Sequence, residues 1–135
     1  MTPATMTLIV RRWQRRLGLG DWTIEVEFGE LSEGDPAECD ADWEYSMATV
    51  RFDLQHIEPG EEEAYAVHEL GHCLIAPLVA CTDTLAGDDK RLQEWSRQAT
   101  ERVVCTLERV CLRLSPAPEP PAVPRPSTVG ITTPR

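Results

Sequence analysis

The sequence predicts an α+β domain: an N-terminal helix, a three-stranded sheet and two long helices, ending in a proline-rich tail. Three patterns carry that expectation. Apolar residues at 9, 10, 13 and 17 keep helical spacing, three segments between Trp22 and Leu54 alternate with period two, and helical spacing returns over much of the second half. The chain has 135 residues, 41% hydrophobic and 27% charged. These are ordinary values for a folded domain with one core.

In order, the first helix spans Thr7 to Leu17, with Gly18 and Gly20 as its stop. Trp22, Ile24, Val26 and Phe28 then alternate with Thr23, Glu25 and Glu27, the mark of a strand with one buried face. Gly34, Asp35 and Pro36 make Leu31 to Glu38 a loop. Cys39, Ala41, Trp43 and Tyr45, followed by Ala48, Val50, Phe52 and Leu54, read as an antiparallel hairpin. Pro59 and Gly60 open the next helix, whose first turn holds Glu61, Glu62 and Glu63 against the positive end of the helix dipole. It is expected to end at Ala76, before Pro77, with a loop to Asp89. A last helix covers Lys90 to Leu114, its apolar stripe formed by Leu92, Trp95, Ala99, Val103, Leu107, Val110 and Leu114. Residues 1–114 thus make the domain. Residues 115–135 hold seven of the eleven prolines and read as a disordered or polyproline-like tail, a candidate to engage a protein partner.

The net charge of −10 repels nucleic acid at long range, so no nucleic-acid partner is expected. The one basic cluster, Arg11, Arg12, Arg15 and Arg16, solvates the outer side of the first helix. No apolar run approaches the ~20 residues of a membrane span and the N-terminus lacks the order of a secretory signal, so the expectation is a cytoplasmic protein, in a host cell if phage-encoded, without a membrane partner. Five cysteines without a CxxC pair then read as reduced thiols.

Chemistry concentrates at His68-Glu69-Leu70-Gly71-His72, an HExxH pattern inside a segment that is helical on its flanks. Residues four apart on a helix share a face, so the two imidazoles can converge on one ion at ~2.0–2.1 Å, the zinc–nitrogen distance. Glu69 lies about 100° round the helix from His68, beside the metal rather than in its first shell. From there it can take a proton from water that zinc has acidified, acting as general base. A catalytic zinc needs a third protein ligand. Glu94, Glu101 and Glu108 on the last helix are spaced by seven, and counting back from Pro77 disfavours Glu108. Amphipathicity places Glu101 about 180° from Leu92, facing solvent.

The element order and the segments DWTIEVEF, ATVRFDL, HELGHCLIAPL and TERVV resemble the phage-type small zinc metallopeptidases related to minigluzincins, zincins with an HExxH helix. The similarity covers Leu8 to Leu114. It implies a zinc-dependent peptidase acting on a peptide or protein, with His68, His72 and Glu101 as metal ligands, Glu69 as the catalytic base and Glu94 as the reserve ligand. It also implies a sheet edge beside the cleft to which an extended peptide adds as a strand. Tyr45, His56 and Tyr65 are candidates for the oxyanion stabiliser.

Cys73 and Cys81 lie near enough in sequence to mask the metal, although buried thiols are the plainer reading. Trp13, Trp22, Trp43 and Trp95 are expected as core anchors, and Gly71 as a point of close packing. Two alternatives stand beside the peptidase: an inactive zinc-binding or peptide-binding module of the same scaffold, and a virion-associated protein whose tail engages a partner and whose histidines bind nothing.

Overall fold

The computed structural model describes residues 1–114, and the proline-rich segment expected over 115–135 lies outside the described residues. The elements are α1 (Pro3–Arg16), β1 (Thr23–Phe28), a 3-10 turn (Ser32–Gly34), β2 (Ala37–Asp42), β3 (Met47–Phe52), α2 (Glu62–Ala86) and α3 (Lys90–Leu114). The α+β arrangement of three helices and a three-stranded sheet is that expected from the patterning.

Helix α1 begins four residues earlier than apolar spacing suggests. Thr2 Oγ1 accepts the Thr5 N–H at 3.2 Å, and Pro3 occupies the first turn, where its missing N–H costs nothing. The helix ends in a Schellman motif: Leu19 N–H donates to Gln14 C=O, Gly18 N–H donates to Arg15 C=O, and Gly18 takes φ +74°. The buried Gln14 amide then donates to the carbonyls of Leu19 and Trp22, fixing the path into β1.

The sheet has the order β1-β3-β2, with β1 parallel and β2 antiparallel to β3. Register places Ile24 beside Ala48, Val26 beside Val50 and Cys39 beside Val50, so one face is apolar across all three strands. That face packs with Met6, Val10 and Trp13 of α1 and Ala66, Val67, Leu70 and Cys73 of α2 into a single core. On the opposite face Arg51 bridges Glu27 of β1 and Glu38 of β2. The β2–β3 turn is closed by Asp42 Oδ1, which accepts the N–H groups of Glu44 and Tyr45, with Ser46 at φ +51°. Trp43 and Tyr45 therefore sit in an exposed turn rather than on a strand's buried face.

Helix α2 does not stop at Pro77. It runs 25 residues, ten of them beyond Ala76, with the proline inside it. A mid-helix proline removes one hydrogen bond and costs about 3 kcal/mol. Here Val79 and Ala86 face α3, and Thr82 Oγ1 lies 2.8 Å from Ser96 Oγ, contacts that work against that cost, while Leu78 and Leu85 remain exposed. Gly87, at φ +51°, ends the helix where a loop was expected to be under way. By length and composition α2 is long and apolar enough to cross a membrane, where no such segment was expected, and it is partly buried in the domain.

Helix α3 has the expected bounds and is capped by Asp89, whose Oδ1 accepts the N–H groups of Arg91 and Leu92. Its rotation differs from expectation. Ser96 and Val104 are its buried residues, while Leu92, Trp95, Val103, Val110 and Leu114 of the apolar stripe are exposed. At about 100° per residue Ser96 still falls on that stripe, about 40° from Leu92, while Val104 lies about 120° from Leu92, so the inward face departs from the stripe where α3 meets Gly71. The close approach of α3 to Gly71 sets this rotation: a Cβ at Gly71 would lie 3.1 Å from Val104 Cγ1. Trp13 is the one fully buried tryptophan, with Trp22 packed at the core margin. Trp95 is 70% exposed and Trp43 43% exposed, so neither anchors the core.

Candidate metal centre

Three side chains from two helices meet on the α2–α3 interface. His68 and His72, one turn apart on α2, have ring centroids 5.2 Å apart at an interplanar angle of 70°. Glu101 of α3 spans them, with Oε2 3.5 Å from His68 Nε2 and Oε1 3.7 Å from His72 Nε2. Zinc–ligand bonds of ~2.0–2.1 Å at tetrahedral angles separate neighbouring ligand atoms by about 3.3 Å, so the measured spacings leave room for one such ion. Two imidazoles and one carboxylate, each partly exposed, are a donor set that could hold a metal ion with a position left open.

Glu101 is reached despite the amphipathic reading because the rotation of α3 carries it toward α2, leaving its side chain 44% exposed. Glu94, the reserve, is not at the site. Its carboxylate accepts from Arg97 and Gln98, and these bonds hold its pKa down at about 2.

Glu108, disfavoured by counting from a helix end at Pro77, contacts the site because α2 continues past that proline. Its Oε2 lies 3.2 Å from His68 Nδ1. An ionised carboxylate only accepts, so the proton of this bond belongs on Nδ1, leaving the Nε2 lone pair toward His72 and Glu101. The spacing of seven between Glu101 and Glu108 was the sequence signal for a shared face. His68, Cys105 and Glu108 make a second grouping whose donor atoms could hold a metal. It draws on the Nδ1 that the hydrogen bond to Glu108 already uses, so the His68–His72–Glu101 grouping is the better supported.

Glu69 is 5% exposed, faces the same cleft and has no hydrogen-bond partner among the described residues. Burial, and then the charges of Glu101, Glu38 and Asp35, raise its pKa to about 8. In the metal-free protein this favours the protonated carboxyl, and a cation held by the neighbouring side chains would draw it back toward the carboxylate that accepts protons. His72, by contrast, is pushed down, chiefly by burial, which favours the neutral ligand form.

Of the three candidates for stabilising an oxyanion, Tyr65 alone lines the cleft, with His68, Glu69 and Glu108. Tyr45 is in the exposed turn, and His56 Nδ1 is held 2.9 Å from Asp53 Oδ2. Cys73 is buried with its Sγ 3.7 Å from Cys39 Sγ, and that thiol–thiol contact and burial push the Cys39 thiol up. Cys81 is exposed further along α2, and among the described residues neither Cys73 nor Cys81 belongs to a metal grouping. All five cysteines are free thiols.

No family model, curated protein or solved structure matches the chain.

Proposed function

We propose that the protein is a zinc-dependent peptidase of zincin type, with His68, His72 and Glu101 as the metal ligands and Glu69 as general base. The observation that carries this reading is the convergence of both Nε2 atoms on the Glu101 carboxylate at 3.5 and 3.7 Å, beside a buried, unpartnered Glu69. A zinc ion bound there would supply Lewis acidity and lower the pKa of water toward ~7.

The remaining work falls to the chain. Glu69 takes the proton of the attacking water and returns it to the leaving amine. Glu108 holds the His68 ring in orientation through Nδ1. Tyr65, on the cleft wall, is the nearest phenol able to donate to a developing oxyanion. β2 is an edge strand that packs against α2, and the residues leading into it, Asp35 to Ala37, form part of the cleft. An extended peptide pairing along that edge would run past Glu69.

Two measurements on purified full-length protein test the reading. Metal analysis should find about one zinc per chain in the wild type and loss of it in His72→Ala and Glu101→Ala. A peptide library should be cleaved by the wild type, with Glu69→Gln at least ~10²-fold slower. Bound zinc without any cleavage would leave a peptide-binding module, and absence of stoichiometric metal would remove both.

A further inference from the structure

The cleft beside Glu69 opens into a pocket of about 340 Å³ formed by three elements. Asp35 leads into β2 and Ala37 begins it, Glu61 caps α2 and Tyr65 lies in its first turn, and Glu108 comes from α3. The size, near the lower end of the ~300–1,000 Å³ of ligand pockets, suits one long side chain.

Every charged side chain of the wall is acidic: Asp35, Glu61, Glu69 and Glu108. Elsewhere some acids are paired with arginine, Glu63 with Arg12, Glu27 and Glu38 with Arg51, and Glu94 with Arg97. In the pocket Glu108 is engaged by His68, whereas the side chains of Asp35 and Glu61 join no hydrogen bond or ion pair among the described residues. Glu69, buried and unpartnered, points its carboxylate into the same space. The charges that act on it come from Glu101, Glu38 and Asp35, and those on Tyr65 from Glu61, Glu58 and Glu108, all of one sign. Such a wall gains when a cation enters.

The cation this wall fits is organic rather than a metal. Asp35 and Glu61 are in neither grouping whose donor atoms lie within 4.8 Å of one another, so they do not form a metal cage among the described residues. Pro36, Ala37, Ala64 and the Tyr65 ring give an apolar wall between the carboxylates, suited to a methylene stem that ends in a charged head.

We propose that this pocket receives the side chain of an arginine or lysine next to the scissile bond, with Asp35 and Glu61 holding its charged end. The assignment rests on the peptidase reading for the words "scissile bond", but the binding itself requires no turnover. The chain would then be selective for peptides basic at that position.

The test uses full-length zinc-loaded protein and calorimetric or NMR titration with the acetyl-amides of arginine, lysine and norleucine, the last having a stem like that of lysine without its charge. Arginine and lysine amides should bind at least tenfold tighter than norleucine amide. The double variant Asp35→Asn/Glu61→Gln, both sites exposed and their side chains unbonded, should lose at least fivefold of that preference with an unchanged urea midpoint. Equal affinity for norleucine amide, or a basic preference untouched by the double variant, overturns the pocket. Cleavage of peptides without basic preference likewise overturns the pocket and leaves the peptidase. Selective binding with no cleavage by any form overturns the peptidase and leaves the pocket.

Discussion

Glu108 Oε2 sits 3.2 Å from Nδ1 of His68, on the far side of the ring from Glu101. A carboxylate there fixes the tautomer and raises the basicity of the opposite nitrogen, an effect typically worth 10–100-fold in metal affinity. Glu108→Gln should therefore weaken zinc binding by about tenfold or more in competition with a chelating dye. Glu94→Gln, on the same helix but engaged with Arg97, should leave affinity unchanged. Equal effects of the two substitutions would show that general negative charge, not the Nδ1 contact, is responsible.

Gly71 lets α3 approach the helix that carries His68 and His72. A Cβ there would be 3.1 Å from Val104 Cγ1, and Val104 is fully buried and β-branched, so it has little freedom to yield. Gly71→Val should cost about 1–3 kcal/mol in urea unfolding, through overpacking. Because α3 carries Glu101, zinc affinity should fall as well. Val104→Ala in the same chain should restore part of both, and strict additivity of the two substitutions would argue against this contact as the cause.

The elements that sequence made legible are those where one local rule dominates. Period-two alternation located β1 and β3, and HELGH gave both histidines and Glu69 because a spacing of four on a helix needs no tertiary information. What escaped depended on contacts between elements. Pro77 reads as a stop since its local cost is large, yet the helix continues through it, with Ala86 buried and Thr82 bonded to Ser96 of α3. The same reading of Pro77 disfavours Glu108. The exposed stripe of Leu92, Trp95 and Val103 was read as core because apolarity marks a candidate buried face without saying whether anything covers it. The start of α1 at Thr2-Pro3 was written in capping residues, which an apolar-spacing reading passes over.

The tryptophans separate these cases by experiment. Trp13 is 2% exposed and its Nε1 donates to Glu63 Oε2 at 3.0 Å, so Trp13→Ala should cost about 3–5 kcal/mol. Trp95, 70% exposed on α3, should cost under about 0.5 kcal/mol on the same change. Urea midpoints with unchanged slope give both values. A large cost at Trp95 would mean that the apolar stripe is covered in solution.

The raised pKa of Glu69 links stability to pH in the metal-free protein. Its folded value of about 8 lies above the ordinary 4.5, so folding favours the protonated form. The contribution is present in full below pH ~4.5 and is lost as pH rises through about 8, where folding must bury a charge near Glu101, Glu38 and Asp35. With chelator present, wild-type stability should fall relative to Glu69→Gln between those limits, by at most about 1.4 kcal/mol per pH unit. The amide does not ionise, so the difference between the two unfolding curves isolates Glu69 from His72 and the other titrating groups. Parallel wild-type and Glu69→Gln profiles from pH 5 to 8 would mean that Glu69 is ionised throughout, and that burial does not hold its proton in the metal-free protein.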